Sequence, residues 1–359
     1  MLRAKNHRRP LLLAGLTLTI ALSGCGAAAT PDGATAAPSA SVAAQTAVAE
    51  QPSTVPPTIV PTTAPAASDA ATVQPTSAPT VVSTTSSAPA PQPSDDQATA
   101  PVQTLLDYYN AIKQKQYEQA YGYWLNDGAA SNQTLDQFTQ GFADTVETSV
   151  LLNSPKVQGA SAGSVTIPTT VFSVIDDPSN AASGQAVRGF GGTYTLVRAA
   201  DGSGWRIASA DMRALPSGAG LGQDYDDPSR LLAAYYEAIN SRDFALAYTD
   251  WRDPAGDTQQ SYAQFYQGFA NTKQVEVELG TPQSDAGAGN LYATIPIVVN
   301  ATQNDGSQQT FCGDYQLHRA NIEPWNQLGW RLERAQIAPH AAVALGTDQS
   351  KQLLANGCQ

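Results

Sequence analysis

Hydrophobic positions along this chain change their rhythm in a set order. Between Pro10 and Cys25 they run together without a period, in LLLAGLTLTIALSG. From Gly26 to Gln97 large apolar residues almost vanish. Beyond Ala98 a helical period gives way to a period of two, and the whole cycle is then written a second time. Leu231, Leu232, Tyr235, Tyr236 and Ile239 fall at spacings of 0, 1, 4, 5 and 8, a single apolar stripe on a helix. Asp227-Pro228 ahead of it supplies a capping side chain and a proline for the first helical position. A short second helix is expected over Tyr117–Trp124 and again over Phe244–Trp251. A third opens with Thr134-x-x-Gln137 in one copy and Ser261-x-x-Gln264 in the other. In such a capping box the hydroxyl and the amide each satisfy an unpaired backbone N–H.

After the helices, alternation predicts strands at 146–152, 164–175, 191–199 and 204–212, then at 274–279, 291–301, 311–319 and 329–337. Pro168 and Pro296 fall inside strands and are expected at edges or bulges. GFGG at 189–192 reads as a strand bulge rather than a phosphate cradle. The two cycles are one unit duplicated: a constant offset of 127 carries Tyr108 to Tyr235, Tyr109 to Tyr236, Trp124 to Trp251, Phe138 to Phe265, Phe142 to Phe269 and Pro155 to Pro282. Helices first and a sheet afterwards make each copy α+β.

Three helices, the Tyr-Tyr-x-Ala-Ile opening and a closing Gly-Trp-Arg strand resemble the nuclear transport factor 2-like superfamily, which includes ketosteroid isomerase and the SnoaL-like polyketide cyclases. The resemblance implies two cone-shaped repeats, each with three N-terminal helices packed on a curved antiparallel sheet. It covers about 98–215 (lobe one) and 226–340 (lobe two), with a C-terminal tail at 341–359. Members of that group often pair, which implies a pseudo-dimer between the lobes.

The N-terminus adds an address. Arg3, Lys5, Arg8 and Arg9 precede the apolar run, which is shorter than the ~20 residues of a spanning helix. It ends in Leu22-Ser23-Gly24-Cys25 and resembles the bacterial lipoprotein signal. That likeness implies a signal peptide over 1–24, lipid (palmitate among its acyl chains) on Cys25, and a place on the extracytoplasmic face of the cell membrane. An ordinary secretory signal is the alternative. The Ala/Pro/Ser/Thr-rich stretch at 25–97 cannot bury enough surface to fold and reads as a disordered tether. As a coil it reaches ~50 Å, and ~220 Å when stretched.

Charge narrows the partners. Without the four cations of the signal, 15 Lys and Arg face 31 Asp and Glu, a net charge of −16. No basic stripe is present, which argues against nucleic acid as a partner. Cys312 and Cys358 remain as an even pair in an exported head, expected as one disulfide, with two free thiols as the alternative.

Candidate chemistry is sparse. The resemblance implies a carboxylate base and a tyrosine donor in the mouth of a cone. Asp211 with Tyr108 or Tyr121 is the candidate set in lobe one, and Tyr235, Tyr248 and Glu333 are its lobe-two counterparts. By period-two counting Asp211 shares a face with Trp205 and Ile207. The same count in lobe two places Trp330, Leu332, Arg334 and Gln336 together and turns Glu333 away, so no acid recurs inward in both copies and an enzyme is the less favoured reading. His318 and His340 have no partners at metal-ligand spacing, and neither a metal nor a cofactor is expected. Tyr109, Trp124, Phe138, Phe142, Tyr236, Trp251, Phe265 and Phe269 read as packed core or as the lining of an apolar pocket. Trp325 sits in a ten-residue insertion, ANIEPWNQLG, either touching a partner or folded onto its own domain. The expected function is non-catalytic binding of a small apolar ligand or an envelope protein. Alternatives are a cyclase- or isomerase-like enzyme and a purely structural assembly module.

Overall fold

The computed structural model describes residues 95–158, 163–216 and 219–358, all within one compact unit. The signal, Cys25 and nearly all of the tether lie outside the described residues. Lobe one runs α1 (Asp95–Lys113), α2 (Tyr117–Gly122), a 3-10 turn, α3 (Leu135–Gly141), then β1 (Thr145–Leu152), β2 (Lys156–Val157), β3 (Ser164–Asp176), β4 (Gln185–Arg198) and β5 (Trp205–Ala214). Lobe two runs α4 (Pro228–Asn240), α5 (Phe244–Thr249), α6 (Pro254–Thr258), α7 (Tyr262–Gly268), then β6 (Thr272–Leu279), β7 (Gln283–Gly287), β8 (Asn290–Gln303), β9 (Gln308–Ala320) and β10 (Arg331–His340). Helix α8 (Asp348–Asn356) closes the chain. Among the described residues no helix is long and apolar enough to cross a membrane.

Local signals act where the sequence puts them. Thr134 with Gln137, and Ser261 with Gln264, form complete capping boxes. The Asp227 carboxylate accepts from the Arg230 N–H, with Pro228 at the first helical position. Both sheets are antiparallel, ordered β1-β3-β4-β5 and β6-β8-β9-β10, with β2 beside β3 and β7 beside β8. In lobe one, α1 packs against both β1 and β5, the two ends of its sheet; in lobe two, α4 does the same with β6 and β10. A sheet whose two ends reach one helix is curled around it, so each lobe is an α+β cone of the expected kind.

Glycine permits the closest strand approaches in each sheet. An ideal Cβ on Gly192 would lie 2.0 Å from the Asp211 carbonyl oxygen, and one on Gly313 1.9 Å from that of Gln336. At these matching positions the last strand comes close enough that only glycine fits. Gly192 is the last residue of GFGG, and that run lies in an unbroken ladder with β3, so it is not a bulge. The register breaks three residues later, where Thr195 and Leu196 lie opposite the extra residue Ala208 of β5. Pro168 and Pro296 likewise sit in central strands and not at edges. Each lies opposite the break where the chain leaves one short neighbour and enters the next: the Pro168 carbonyl accepts from Asn153 N–H between β1 and β2, and that of Pro296 from Gly280 N–H between β6 and β7.

The lobes meet through unlike surfaces. Thr249 Oγ1 of α5 accepts from the Leu152 N–H of β1 at 3.1 Å, and the Asp243 carboxylate takes the Ser154 N–H and the Asn153 amide, each at 2.7 Å. Arg331 donates to Ser149 Oγ of lobe one and to the Thr249 carbonyl. Lobe one contributes α1 and β1, lobe two α5, α7 and Arg331, which makes the contact heterologous. The Cys312–Cys358 disulfide is present and ties the end of the tail to β9. The same tail carries α8 onto β8.

Candidate ligand cavity

Helix α4 exists because its apolar stripe needs a sheet to cover it, and the same stripe sets Tyr235 and Tyr236 side by side beneath the lobe-two sheet, 3% and 5% exposed. The chain after α5 is held to β10 by a bridge between Trp251 and Leu332, which fixes the indole beside them. Tyr315 of β9 meets all three: its ring lies 6.0–6.2 Å from theirs, and its hydroxyl is 3.0 Å from that of Tyr236. Burial pushes the phenols of Tyr235, Tyr236 and Tyr315 above their ordinary range, so all three remain neutral hydrogen-bonding groups. The Trp251 indole N–H is buried without a well-aligned acceptor, the Tyr235 hydroxyl being its near neighbour.

These rings are the floor of a cavity of about 890 Å3. Val275, Val299, Ala301 and Ala335 wall it from the sheet, and Phe265 and Phe269 from α7 and just beyond. It opens between Asp257, Thr258 and Gln260 on one side and the β8–β9 hairpin, with Asn304, Asp305 and Ser307, on the other. The Asp305 carboxylate accepts from the Ser307 N–H and hydroxyl, and those bonds hold its pKa down. Asp257 accepts from the Asp253 N–H at 2.8 Å, and partial burial raises its pKa. The size falls within the ~300–1,000 Å3 of ordinary small-molecule sites.

Lobe one repeats the motif at nearly the same ring distances. Tyr109 and Tyr194 share a hydroxyl contact of 2.8 Å, and Tyr108 packs against Tyr109, Trp124, Phe138 and Tyr194. Phe138 meets Tyr121 and Phe142 as Phe265 meets Tyr248 and Phe269, but among the described residues no ring contact joins Phe265 to Tyr235. The eight repeated aromatics thus divide. All but Phe142 and Phe269 are buried core rings, and Tyr236, Trp251, Phe265 and Phe269 also line the lobe-two cavity.

The acid–base set is not assembled. The bulge at Ala208 advances β5 by one residue, pairing Ala210 with Tyr194 and Asp211 with Thr193. Met212 therefore packs on the core, and Asp211 turns outward, its side chain 77% exposed beside Arg213. Period-two counting failed there because a bulge reverses the alternation. The equivalent bulge at Glu333 brings Ala335 inward and sends Arg334 and Gln336 to solvent. Glu333 itself pairs with Arg252 at 2.7 Å. Tyr108 is buried in the core, and the Tyr121 and Tyr248 hydroxyls donate to the carbonyls of Gln133 and Gln260. Trp325 is half-buried, and its indole N–H donates to Gln185 Oε1 of lobe one at 3.0 Å. His318 lies 2.8 Å from Asn290 Oδ1, and burial lowers its pKa.

One cluster has no forerunner in the sequence reading. The Tyr225 hydroxyl, from the segment between the lobes, donates to Asp250 Oδ1 at 2.7 Å, with the Arg331 guanidinium 5.3 Å over the Tyr225 ring. Asp250 is 2% exposed, and burial pushes its pKa up to about 7 against the opposing pull of Tyr225 and Arg331. The available signal was an Asp in the apolar run AYTDW, where copy one has Tyr123.

No family model matches the chain, and no curated protein matches it. Among solved structures it is similar to a nuclear transport factor 2-like superfamily protein from Salmonella enterica, with 17% identity over 32% of this chain and 89% of that one and a TM-score of 0.25. It is also similar to a conserved protein from Planctomyces limnophilus, with 13% identity over 31% and 94% and a TM-score of 0.25. A nuclear transport factor 2-like protein involved in plasmid conjugation matches at 12% identity over 68% and 95%, with a TM-score of 0.20. At such identities and scores none of these bears on what the chain binds or does.

Proposed function

We propose that this chain is an extracytoplasmic binding protein, held at the cell membrane by lipid on Cys25 and the tether that follows, whose second lobe takes up a small molecule with an apolar body. The observation that carries the reading is the lobe-two cavity, a solvent-connected space floored by four aromatic residues. Its chemistry favours holding over transforming. Proton abstraction needs a base at the reacting centre, and here the carboxylates are at the mouth while the floor is built of aromatic rings whose phenols stay neutral. Lobe one, with its rings packed together, serves as a support. The anchoring rests on the order of basic residues, apolar run and Leu-Ser-Gly-Cys at the N-terminus.

The test is native mass spectrometry of the exported Cys25→Ser chain, followed by denaturing extraction. A co-purifying small molecule that is lost when Ala301→Trp fills the cavity supports the reading. A clean apo mass, or a molecule retained by the filled variant, overturns it and shifts the function to an envelope protein partner.

A further inference from the structure

The cavity is electrostatically one-sided. Of the described residues that line it, Asp257 and Asp305 can carry charge at neutral pH, both at the mouth, and none is Lys, Arg or His. Arg252, whose charge acts on Asp257, is paired with Glu333 at 2.7 Å. The floor adds the aromatic rings of Tyr235, Tyr236, Tyr315 and Trp251, and ring quadrupoles attract positive charge. The chain as a whole has a formal net charge of −12, so long-range steering acts in the same direction. An anionic ligand would bring its charge to a mouth whose lining, among the described residues, holds no cation. Resting on the binding reading above, we infer that the lobe-two cavity selects organic cations: an apolar or aromatic body seated on the tyrosine–tryptophan floor, with an ammonium group held between the floor and the Asp257–Asp305 mouth.

Three probes of one shape and different charge test this: 2-(1-naphthyl)ethylamine, 2-(1-naphthyl)ethanol and 1-naphthylacetate, titrated calorimetrically at pH 7 into the exported Cys25→Ser chain. Two carboxylates acting through solvent should separate the amine from the acetate by about tenfold in Kd, with the alcohol between them. Added salt should narrow that gap. The double variant Asp257→Asn, Asp305→Asn keeps every accepting oxygen in place and should bring the three probes to within about threefold of one another. Equal affinity for the three, or preference for the acetate, overturns the cation selectivity while leaving lobe two a binder. An amine preference unchanged in the double variant overturns the role of the mouth. Failure of all three to bind at millimolar concentration overturns this inference together with the binding function on which it rests.

Discussion

Asp250 is a carboxyl group in a place that cannot solvate its charge. The groups facing it are the Tyr225 hydroxyl and the Arg331 guanidinium, which favour ionisation, and the more distant Asp224 and Asp243 carboxylates, which oppose it. Burial dominates and sets the pKa at about 7, against about 3.9 for an unfolded Asp. Between those two values the folded chain keeps a proton that the unfolded chain has released. Stability from this group is therefore full below pH 4, falls as pH rises to 7, and is level above it. The slope is at most about 1.4 kcal/mol per pH unit. Asp250→Asn keeps an oxygen for Tyr225 and cannot ionise. Urea unfolding at pH 5 and pH 8 should show the native chain losing more stability between the two than the variant does, and equal losses would place the Asp250 pKa near its ordinary value. The sequence hid this site for a physical reason: Tyr225 lies outside both repeats, and only folding brings it over Asp250 and under Arg331.

At the scale of elements, what local chemistry decides was legible. The capping boxes, the Asp227-Pro228 start and the eight long strands could all be read, since each depends on neighbours within a few residues. What long-range pairing decides was not. The bulges at Ala208 and Glu333 are invisible to alternation, and one extra residue was enough to move Asp211 from the expected inner face to solvent. The short strands β2 and β7 were unread because neither carries an apolar alternation long enough to mark it. The close approach at Gly313 was equally silent, and it yields a sharp expectation. Gly313→Ala puts a methyl 1.9 Å from a backbone oxygen that cannot step aside, and should cost about 3 kcal/mol or more. Gly141→Ala, in a helix with nothing within 4 Å, should change stability by less than about 1 kcal/mol. Equal effects in denaturant melts would mean the β9–β10 approach is looser than described. The disulfide belongs to this scale as well. It closes a span of 46 residues, for which chain entropy gives about 4 kcal/mol. Reduction should lower the thermal midpoint by several degrees, and alkylation without reductant should leave the intact mass unchanged.

At the scale of the molecule, duplication has produced two unequal lobes joined head to tail. The covering of β1 shows how the inequality is built. Ser149 and Leu151 occupy its outer face, where Ser149 meets Arg331 and Leu151 is 6% exposed. Their counterparts on β6 are Glu276, exposed, and Glu278, whose carboxylate accepts from the Gly346 N–H of the tail. Asn240 bonds both backbone groups of Val275 on β6, whereas its counterpart Lys113 pairs with Glu147 instead. Lobe two therefore closes with its own side chains and tail the strand that lobe one leaves for lobe two to cover. It follows that Leu151→Glu, which copies onto β1 a residue that β6 already carries at the same position, should leave each cone able to fold but place a charge in the contact between them. Burying that charge unpaired costs several kcal/mol, more than separating the lobes. The native chain should unfold in one cooperative transition by calorimetry, and Leu151→Glu in two, with the total denaturant slope divided between them. A single transition at a lower midpoint with an undiminished slope would show instead that lobe one cannot stand without lobe two, and that the duplication yielded one domain with two cones.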